Sequence, residues 1–218
     1  MKFENLPKKI PIFPLSKAIF FPKTILPLNI FEDRYIQLVN DAIKNNRVFG
    51  MTQPKRGKVI KNDTQKKPEL YDVGCLGKII NFSETNDNRF LITLFGLCRF
   101  KIIQEDQSKK LYREFTVDYS NFENDLKNYN IKKPKTDMNK IMNKVKLYFK
   151  KKNYLLDWDI LNKLDQEQLI DTICMVSPLS VEEKQKLLET KKVDEKLFIL
   201  DEILNFNLES ESEVKTIQ

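Results

Sequence analysis

The sequence predicts an α+β protein in which a small, partly closed β-barrel with one early helix precedes a small helical bundle. Two changes of pattern support this fold class. Residues 1–120 consist mainly of short apolar runs between turn residues, whereas residues 136–206 repeat apolar residues at helical spacing. Residues 121–135 are polar and contain a proline, which predicts a linker between the two domains. Residues 207–218 are polar and are predicted to form a frayed tail.

The segment from Ile10 to Tyr35 carries the most informative pattern of the chain. Its apolar residues form three short runs separated by prolines: Ile10–Phe13, Ala18–Phe21 and Ile25–Leu28. Proline removes a ladder hydrogen bond, so the runs are expected to be edge-type or bulged strands. A helix near residues 31–45 is expected directly afterwards. Its apolar face consists of Phe31, Tyr35, Leu38 and Ala42.

Further strands are expected before residue 120. They are Arg47–Met51, Val73–Gly77 with its continuation Gly77–Ser83, Phe90–Ile103 and Leu111–Tyr119. The polar sequence Asn86-Asp87-Asn88 predicts a hairpin loop. Gly96 predicts a bulge or bend where the sheet curls. Residues 54–68 are rich in lysine and are predicted to form a loop.

The second part of the chain shows helix-capping patterns. The first helix is expected to begin at an N-cap, Thr136, and to carry one apolar stripe. This stripe consists of Met138, Ile141, Met142, Val145, Tyr148 and Phe149. Asp165 with Gln168 and Ser180 with Glu183 have the spacing of capping pairs. Asp194 is expected to open the last helix.

The net charge of +7 is unevenly distributed along the chain. Residues 1–150 hold 29 Lys and Arg against 16 Asp and Glu, whereas residues 151–218 hold 9 against 15. A basic half is one mark of a nucleic-acid-binding protein. The lysines are nevertheless scattered through loops rather than interleaved with aromatic residues on one face, which favours a solvated surface. RNA binding by the basic half is kept as the second hypothesis.

Catalytic and metal-binding motifs are missing from these 218 residues. No histidine is present, which excludes Ser-His-Asp and Cys-His catalysis and removes the commonest metal ligand. None of the five glycines belongs to a G-x-x-x-x-G-K-[ST] phosphate loop. The three cysteines form no C-x-x-C pair, so neither a disulfide framework nor a structural zinc site is expected. We expect a non-enzymatic protein without cofactor or metal, and an enzyme of another kind on this scaffold is the third hypothesis.

Two single residues have alternative roles. Arg99 either binds an anion or, as is more common, pairs with a neighbouring acid. Trp158 either anchors a partner or caps the helical bundle.

No signal peptide is expected, because Pro11 and Pro14 interrupt the apolar run after the first lysines. No run approaches the roughly 18 apolar residues of a membrane span. The expected location is the cytoplasm.

Several segments resemble, in order along the chain, the amino-terminal substrate-binding domain of Lon-type proteases. The first is Ile10–Tyr35, where two proline-separated strands lead into IFEDRY at a helix start. The others are Arg47–Met51, Val73–Gly77 with its Val-Gly pair, Gly96–Ile102 in the form G-x-x-R-F-x-I, and Asp171–Lys184. The resemblance runs from about residue 8 to about residue 205. It is to the stand-alone members of the family, although Asn29 stands where many relatives have His.

This resemblance implies a fold and a task. The fold would be a PUA-like β pseudo-barrel followed by helices, without the ATPase and protease domains of the parent enzyme. The task would be to bind unfolded or specific polypeptides, in possible association with a protease system and without membrane contact. Because Ile19, Phe20 and Phe21 are consecutive, at least one is expected to face away from the core of the sheet. Phe21, Pro22 and Ile25 are therefore the candidate polypeptide-binding residues, the alternative being that both faces of this segment are covered.

Overall fold

The structure is a computed structural model that describes residues 3–59, 67–126 and 137–214. The chain divides into two compact units, residues 1–128 and 129–218. The first unit contains the β-sheets and one α-helix, whereas the described residues of the second unit are helical. The predicted α+β fold class is therefore confirmed.

The first unit contains eight strands and one α-helix within its described residues. They are β1 (Lys9–Pro14), β2 (Ile25–Ile30), α1 (Asp33–Lys44), β3 (Val48–Thr52), β4 (Pro54–Val59), β5 (Pro68–Leu70), β6 (Val73–Glu84), β7 (Phe90–Asp106) and β8 (Arg113–Asp118). Two short 3-10 helices, Phe3–Asn5 and Ser120–Leu126, lie near its ends. The hairpin predicted at Asn86-Asp87-Asn88 joins β6 to β7.

β7 is the strand that most of the sheet shares. Its first half pairs with β2 along one edge and with β6 along the other, and its second half pairs with β8. From β6 the sheet continues through β3 and β1 to β8, so the series of pairings returns to β7. These pairs are antiparallel except for β1 with β3. The assignment to a PUA-like pseudo-barrel stays a prediction.

A bulge lies beside Gly96, where the sequence predicts one. Gly77 pairs with Gly96 and Leu76 pairs with Cys98, so Leu97 is an extra residue in β7. An extra residue bends a strand and increases its local twist. The bulge therefore allows the long β7 to change its partner from β2 to β8.

β2 lies at an edge of the sheet, because β7 is its only strand partner in the described part of the chain. Pro27 stands in the middle of this strand and has no N–H to donate. The edge-type strand expected from the prolines at 11, 14, 22 and 27 is confirmed for β2. The predicted run Ala18–Phe21 is not a strand, since residues 15–24 form turns and irregular backbone.

Three further sequence-based expectations need correction. Phe31 is not part of the apolar face of the helix, because α1 begins at Asp33 and Phe31 is exposed. Residues 54–59, expected in a loop, form β4 and pair with β5. Residues 121–126, expected at the start of a linker, lie in a 3-10 helix whose Phe122 is buried. Residues 127–136 and 60–66 lie outside the described residues.

Arg99 and Asp125 form a buried ion pair in the first unit. Asp125 Oδ2 accepts hydrogen bonds from the backbone N of Arg99 at 2.8 Å and from its Nε at 2.9 Å, while Oδ1 accepts from Nη2 at 2.7 Å. The guanidinium also lies 4.5 Å from the ring centroid of Phe122. Arg99 therefore pairs with an acid and fixes the 3-10 helix to β7, rather than presenting its charge to an external anion.

The second unit contains five helices within its described residues. They are α2 (Met138–Lys151), α3 (Trp158–Leu161), α4 (Gln166–Val176), α5 (Val181–Glu189) and α6 (Val193–Val214). α6 packs against α2, α4 and α5. A buried pair in which Lys196 Nζ donates to Asp171 Oδ1 at 2.5 Å joins α6 to α4. A second link joins α6 to α2, where Lys144 Nζ lies 2.6 Å from Asp201 Oδ1.

The capping patterns read from the sequence are largely present. Asp165 accepts from the backbone N of Gln168, and Ser180 forms a complete capping box with Glu183. α2 begins one residue later than expected, because its N-cap is Asp137, and Thr136 lies outside the described residues. Residues 207–214, expected in a frayed tail, continue α6.

Removing the carboxylate of the buried pair in the first unit tests its contribution to stability. In the variant Asp125→Ala the buried guanidinium of Arg99 loses this counter-charge, and the free energy of unfolding is expected to fall by about 3–5 kcal/mol. The matched change Glu32→Ala removes an exposed pair with Arg34 and is expected to cost less than about 1 kcal/mol. Urea unfolding followed by circular dichroism measures both. Equal costs for the two variants would contradict this role of Arg99.

Candidate functional site

The segment before β2 is an interior part of the first unit. Ile19, Phe20 and Phe21 are all buried, and Pro22 is buried as well. The expectation that one of the three apolar residues faces outward is wrong, because it assumed the alternation of a strand. Irregular backbone has no such alternation, and here three consecutive apolar side chains are all buried. Phe21 and Pro22 therefore cannot form an exposed patch, and of the three predicted site residues only Ile25 lies on the surface.

The turn of residues 21–24 is held against β7 at Gly96. Lys23 N donates to the Gly96 carbonyl at 2.8 Å, and Gly96 N donates to the Thr24 carbonyl at 3.0 Å. Thr24 Oγ1 donates to the Phe21 carbonyl at 2.7 Å. A Cβ atom at position 96 would overlap the Phe21 carbonyl oxygen. Glycine is therefore required here by the close approach of two backbone segments.

β2, β7 and β6 present a common outer face. Ile25 pairs with Phe95, Pro27 with Thr93 and Asn29 with Leu91. Residues directly opposite in an antiparallel pair point to the same side of the sheet, with Cβ atoms about 4.5–5.5 Å apart. The alternate residues of β7 (Phe90, Ile92 and Leu94) are buried on the other side. We call the mainly apolar group of Ile25, Pro27, Leu91, Thr93 and Phe95 the outer sheet face.

The outer sheet face is accessible to solvent at its two largest aliphatic residues. Ile25 is 52% exposed and Leu91 is 45% exposed, while Phe95 is partly covered. Phe31 continues the same series just beyond β2 and is 63% exposed, with the guanidinium of Arg89 located 6.0 Å from its ring centroid. Apolar side chains on adjacent strands thus form a contiguous exposed group rather than scattered single residues.

Charged residues flank this face at both ends. Lys78 lies directly opposite Phe95 on β6 and is exposed. Arg89 lies at the other end, where its Nε is 2.8 Å from Asp87 Oδ2. The centre of the face therefore carries no charged side chain. Thr93, with Asn29 and Ser83 opposite Leu91, adds uncharged polar groups to the apolar ones.

Sequence reasoning identified Ile25 but missed Leu91, Phe95 and Phe31. β7 contains a nearly continuous apolar run, Phe90–Phe95, and such a run is typical of a strand covered on both faces. The structure instead leaves one face of that run partly exposed. The sequence does show this apolar run and a proline-containing edge strand, and together they are a usable signal for an exposed apolar surface. Which residues lie opposite each other, however, depends on the register between β2 and β7.

The cysteines and Trp158 are packed within the protein and serve its structure. Burial raises the pKa of the Cys98 thiol well above its ordinary value, and burial raises the pKa of Cys174 to about 12. Both thiols therefore stay protonated and are poor nucleophiles at neutral pH. The ring of Trp158 packs edge-on against Phe149 with centroids 5.9 Å apart, so it caps the apolar interior of the second unit.

The described residues offer neither a metal-binding cluster nor a membrane-spanning helix. Residues 3–59, 67–126 and 137–214 contain no cluster of three or more Cys, Asp or Glu side chains able to hold a metal ion. Among the helices in these ranges, none combines the length and the apolar character that crossing a bilayer requires.

Comparison with known proteins identifies the family. A family model described as the ATP-dependent protease La (LON) substrate-binding domain matches residues 9–205. The chain belongs to this family. The resemblance read from the sequence is therefore confirmed over nearly the whole chain.

Relatives of the chain are full-length Lon proteases and isolated Lon domains. The Lon protease of Syntrophus aciditrophicus is 26% identical over 211 residues, which are 95% of this chain and 26% of that protein. Lon protease 2 of Myxococcus xanthus is 23% identical over 202 residues, which are 93% of this chain and 24% of that protein. The chain thus spans about a quarter of the length of these curated relatives.

Two solved structures share the fold. A Lon N-terminal domain protein from Xanthomonas campestris superposes with a TM-score of 0.61 at 19% identity, covering 88% of this chain and 96% of that chain. The N-terminal domain of a Lon protease from the Mycobacterium avium complex gives a TM-score of 0.59 at 16% identity, covering 91% and 98% of the two chains. These similarities confirm the architecture of a Lon N-terminal domain.

Charged substitutions should separate the buried and exposed parts of the predicted site. In Phe21→Asp, the buried ring is replaced by a charge without room for water, so the first unit is expected to lose at least about 3–5 kcal/mol of stability. In Ile25→Asp the new carboxylate remains solvated, and the expected loss is about 1 kcal/mol or less. Urea unfolding measures both changes. Comparable stability of the two variants would show that Phe21 is not a core residue.

Proposed function

We propose that this protein binds unfolded or flexible polypeptides through the outer sheet face of its first unit. The observation that carries the proposal is the contiguous exposed apolar group on β2 and β7, in a chain that belongs to the Lon substrate-binding-domain family. Ile25 and Leu91 supply aliphatic contacts, and Phe31 extends the surface beyond the end of β2. The proposal replaces the predicted site Phe21, Pro22 and Ile25, of which it keeps only Ile25.

The surface fits an extended chain rather than a compact ligand. Its residues follow the strand direction, with successive outward side chains of one strand about 6.5–7 Å apart. An extended polypeptide repeats its side chains at the same interval, so its alternate apolar residues can contact successive positions on the face. A surface of this size supports weak, reversible binding, with a Kd of about 1–100 μM.

We further propose that the protein recognises polypeptides without transforming them and that it serves a proteolytic system. The match is confined to a substrate-binding domain, and these 218 residues contain no phosphate loop and no histidine. In the named relatives the matching segment is part of a protease, which supports delivery of bound chains to proteolysis. The cytoplasmic location expected from the sequence belongs to the same proposal.

The alternative of RNA binding is weakened by the pairing of the basic residues. Many cations of the first unit have an acidic neighbour, which reduces the positive charge available to phosphates. These pairs include Lys9 with Glu114, Arg34 with Glu32, Lys55 with Glu69, Arg89 with Asp87, Lys110 with Asp41 and Arg113 with Glu105. The positive charges of these six residues are thus compensated locally in the folded unit.

Substitutions on the outer sheet face test the location of binding. Ile25→Asp and Leu91→Asp place a charge where apolar contact is proposed, and each is expected to weaken binding about tenfold. The measurement is fluorescence anisotropy of a labelled, reduced and carboxymethylated lactalbumin, which stays unfolded in buffer. The matched control is Ile103→Asp, which alters an exposed aliphatic residue elsewhere on β7 and is expected to leave the affinity unchanged. Equal loss in the control would place the binding surface elsewhere.

Salt dependence distinguishes polypeptide binding from RNA binding. Apolar contact depends on surface removed from water, so affinity for the unfolded lactalbumin is expected to change less than about threefold between low and moderately raised salt. An RNA complex with several phosphate contacts would weaken about 10³-fold over the same range, because condensed counterions are released on binding. A titration with poly(U) under the same conditions provides the comparison. Tight, salt-sensitive RNA binding without affinity for the unfolded protein would overturn the proposed function.

A further inference from the structure

The outward side of α6 carries an alternating pattern of acidic and aromatic residues. The residues are Glu195, Phe198, Glu202, Phe206 and Glu209, and all five are exposed. They follow one another at intervals of three and four residues, which places them on one face of a helix. The buried residues Leu197, Leu200 and Leu204 lie on another side of the same helix. We call the five exposed residues the α6 stripe.

The aromatic members of the stripe are unusual for the solvent side of a helix, which is normally polar. Phe198 is 59% exposed and Phe206 is 70% exposed. They are eight residues apart, which corresponds to about 12 Å along the helix axis. The two rings are therefore close enough to contact the same partner segment and provide the apolar part of a docking surface.

Two acidic residues of the stripe, Glu195 and Glu202, are available for ion pairing. Within the described residues, Glu195 and Glu202 form neither an ion pair nor a side-chain hydrogen bond. By contrast, the charges on the inner sides of α6 are satisfied: Lys196 pairs with Asp171, and Asp201 pairs with Lys144. Residues 151–218 also carry an acidic excess, with 15 Asp and Glu against 9 Lys and Arg. Within the described residues, the stripe therefore combines two exposed rings with the unpaired carboxylates of Glu195 and Glu202.

We propose that the α6 stripe docks a basic amphipathic helix of another protein. The apolar residues of that helix cover Phe198 and Phe206, and its lysines or arginines pair with Glu195 and Glu202. Aromatic contact supplies most of the affinity, whereas the complementary charges fix the register and exclude acidic partners. This surface lies in the second unit, and the proposal does not rest on polypeptide binding by the first unit.

A second copy of the same chain is a poorer occupant. In an antiparallel pairing of two identical helices, the centre of the stripe meets itself, so Glu202 would face Glu202 of the other copy. Glu195 would likewise face Glu209, and like charges in direct opposition disfavour such a contact. A basic partner converts each of these repulsions into an attraction.

The test uses the full chain and two short labelled peptides. Both peptides place Leu on one helical face, and they differ only in having Lys or Glu at the flanking positions. The Lys peptide is expected to bind with micromolar Kd in fluorescence anisotropy, and the Glu peptide is expected to bind at least about tenfold more weakly. The double variant Phe198→Ser with Phe206→Ser is expected to lower affinity for the Lys peptide about tenfold. The double variant Glu195→Gln with Glu202→Gln should lower it severalfold at low salt and little at high salt.

Two matched controls lie elsewhere in the second unit. Leu155→Ser removes another exposed apolar residue, and Glu182→Gln removes another exposed acid. Both are expected to leave the affinity unchanged, and circular dichroism checks that every variant keeps its helices. Equal binding of the two peptides, no binding of the Lys peptide, or identical losses in the controls would overturn the proposal. A dimer in sedimentation equilibrium that Phe198→Ser dissociates would also overturn it, because the occupant would then be a second copy.

Discussion

The architecture of the first unit depends on the hydrogen bonds that the backbone N–H and C=O groups of β7 form where its neighbouring strand changes from β2 to β8. Along one edge, β2 accompanies β7 up to Phe95, and β8 takes over from Lys101. Between them, Gly96 exchanges hydrogen bonds with Lys23 and Thr24, and the N–H of Arg99 donates to Asp125. A buried N–H or C=O group without a partner is costly, so these contacts make the change of partner possible. The turn before β2 and the 3-10 helix after β8 are thus required by one short stretch of β7.

The same arrangement determines where the candidate surface lies. Because the turn at residues 21–24 is fixed on Gly96, β2 starts at a defined register, and Ile25 meets Phe95. A register shifted by one residue would turn Ile25 inward and Leu26 outward. The interior contacts of Phe21 therefore act on the surface indirectly: they hold the edge strand whose outward residues are proposed to bind polypeptides.

Much of the fold could be predicted from local chemistry. The helix starts at Asp165 and Ser180 depend on side chains bonding to backbone groups a few residues away, and such contacts are visible in the sequence. The burial of Ile19, Phe20 and Phe21 could not be predicted in the same way, because it depends on irregular backbone and on packing against distant strands. Leu91 and Phe95 were missed for a related reason, since exposure of one face of an apolar strand depends on what the rest of the chain leaves uncovered. The α6 stripe could not be predicted either, because the exposure of Phe198 and Phe206 depends on which side of α6 the other helices cover.

Pro27 gives the edge strand a property that bears on the proposed binding of unfolded chains. The free edge of a sheet can template further strands, and an unfolded polypeptide held beside such an edge is well placed to add to it. Backbone pairing of this kind would convert transient capture into persistent cross-strand association and, with more chains, into aggregation. A proline in the middle of β2 interrupts the row of donors that an incoming strand needs. In the proposed function, the outer sheet face would receive a polypeptide by its side chains while the neighbouring edge resists growth of the sheet, and release of the bound chain would stay rapid.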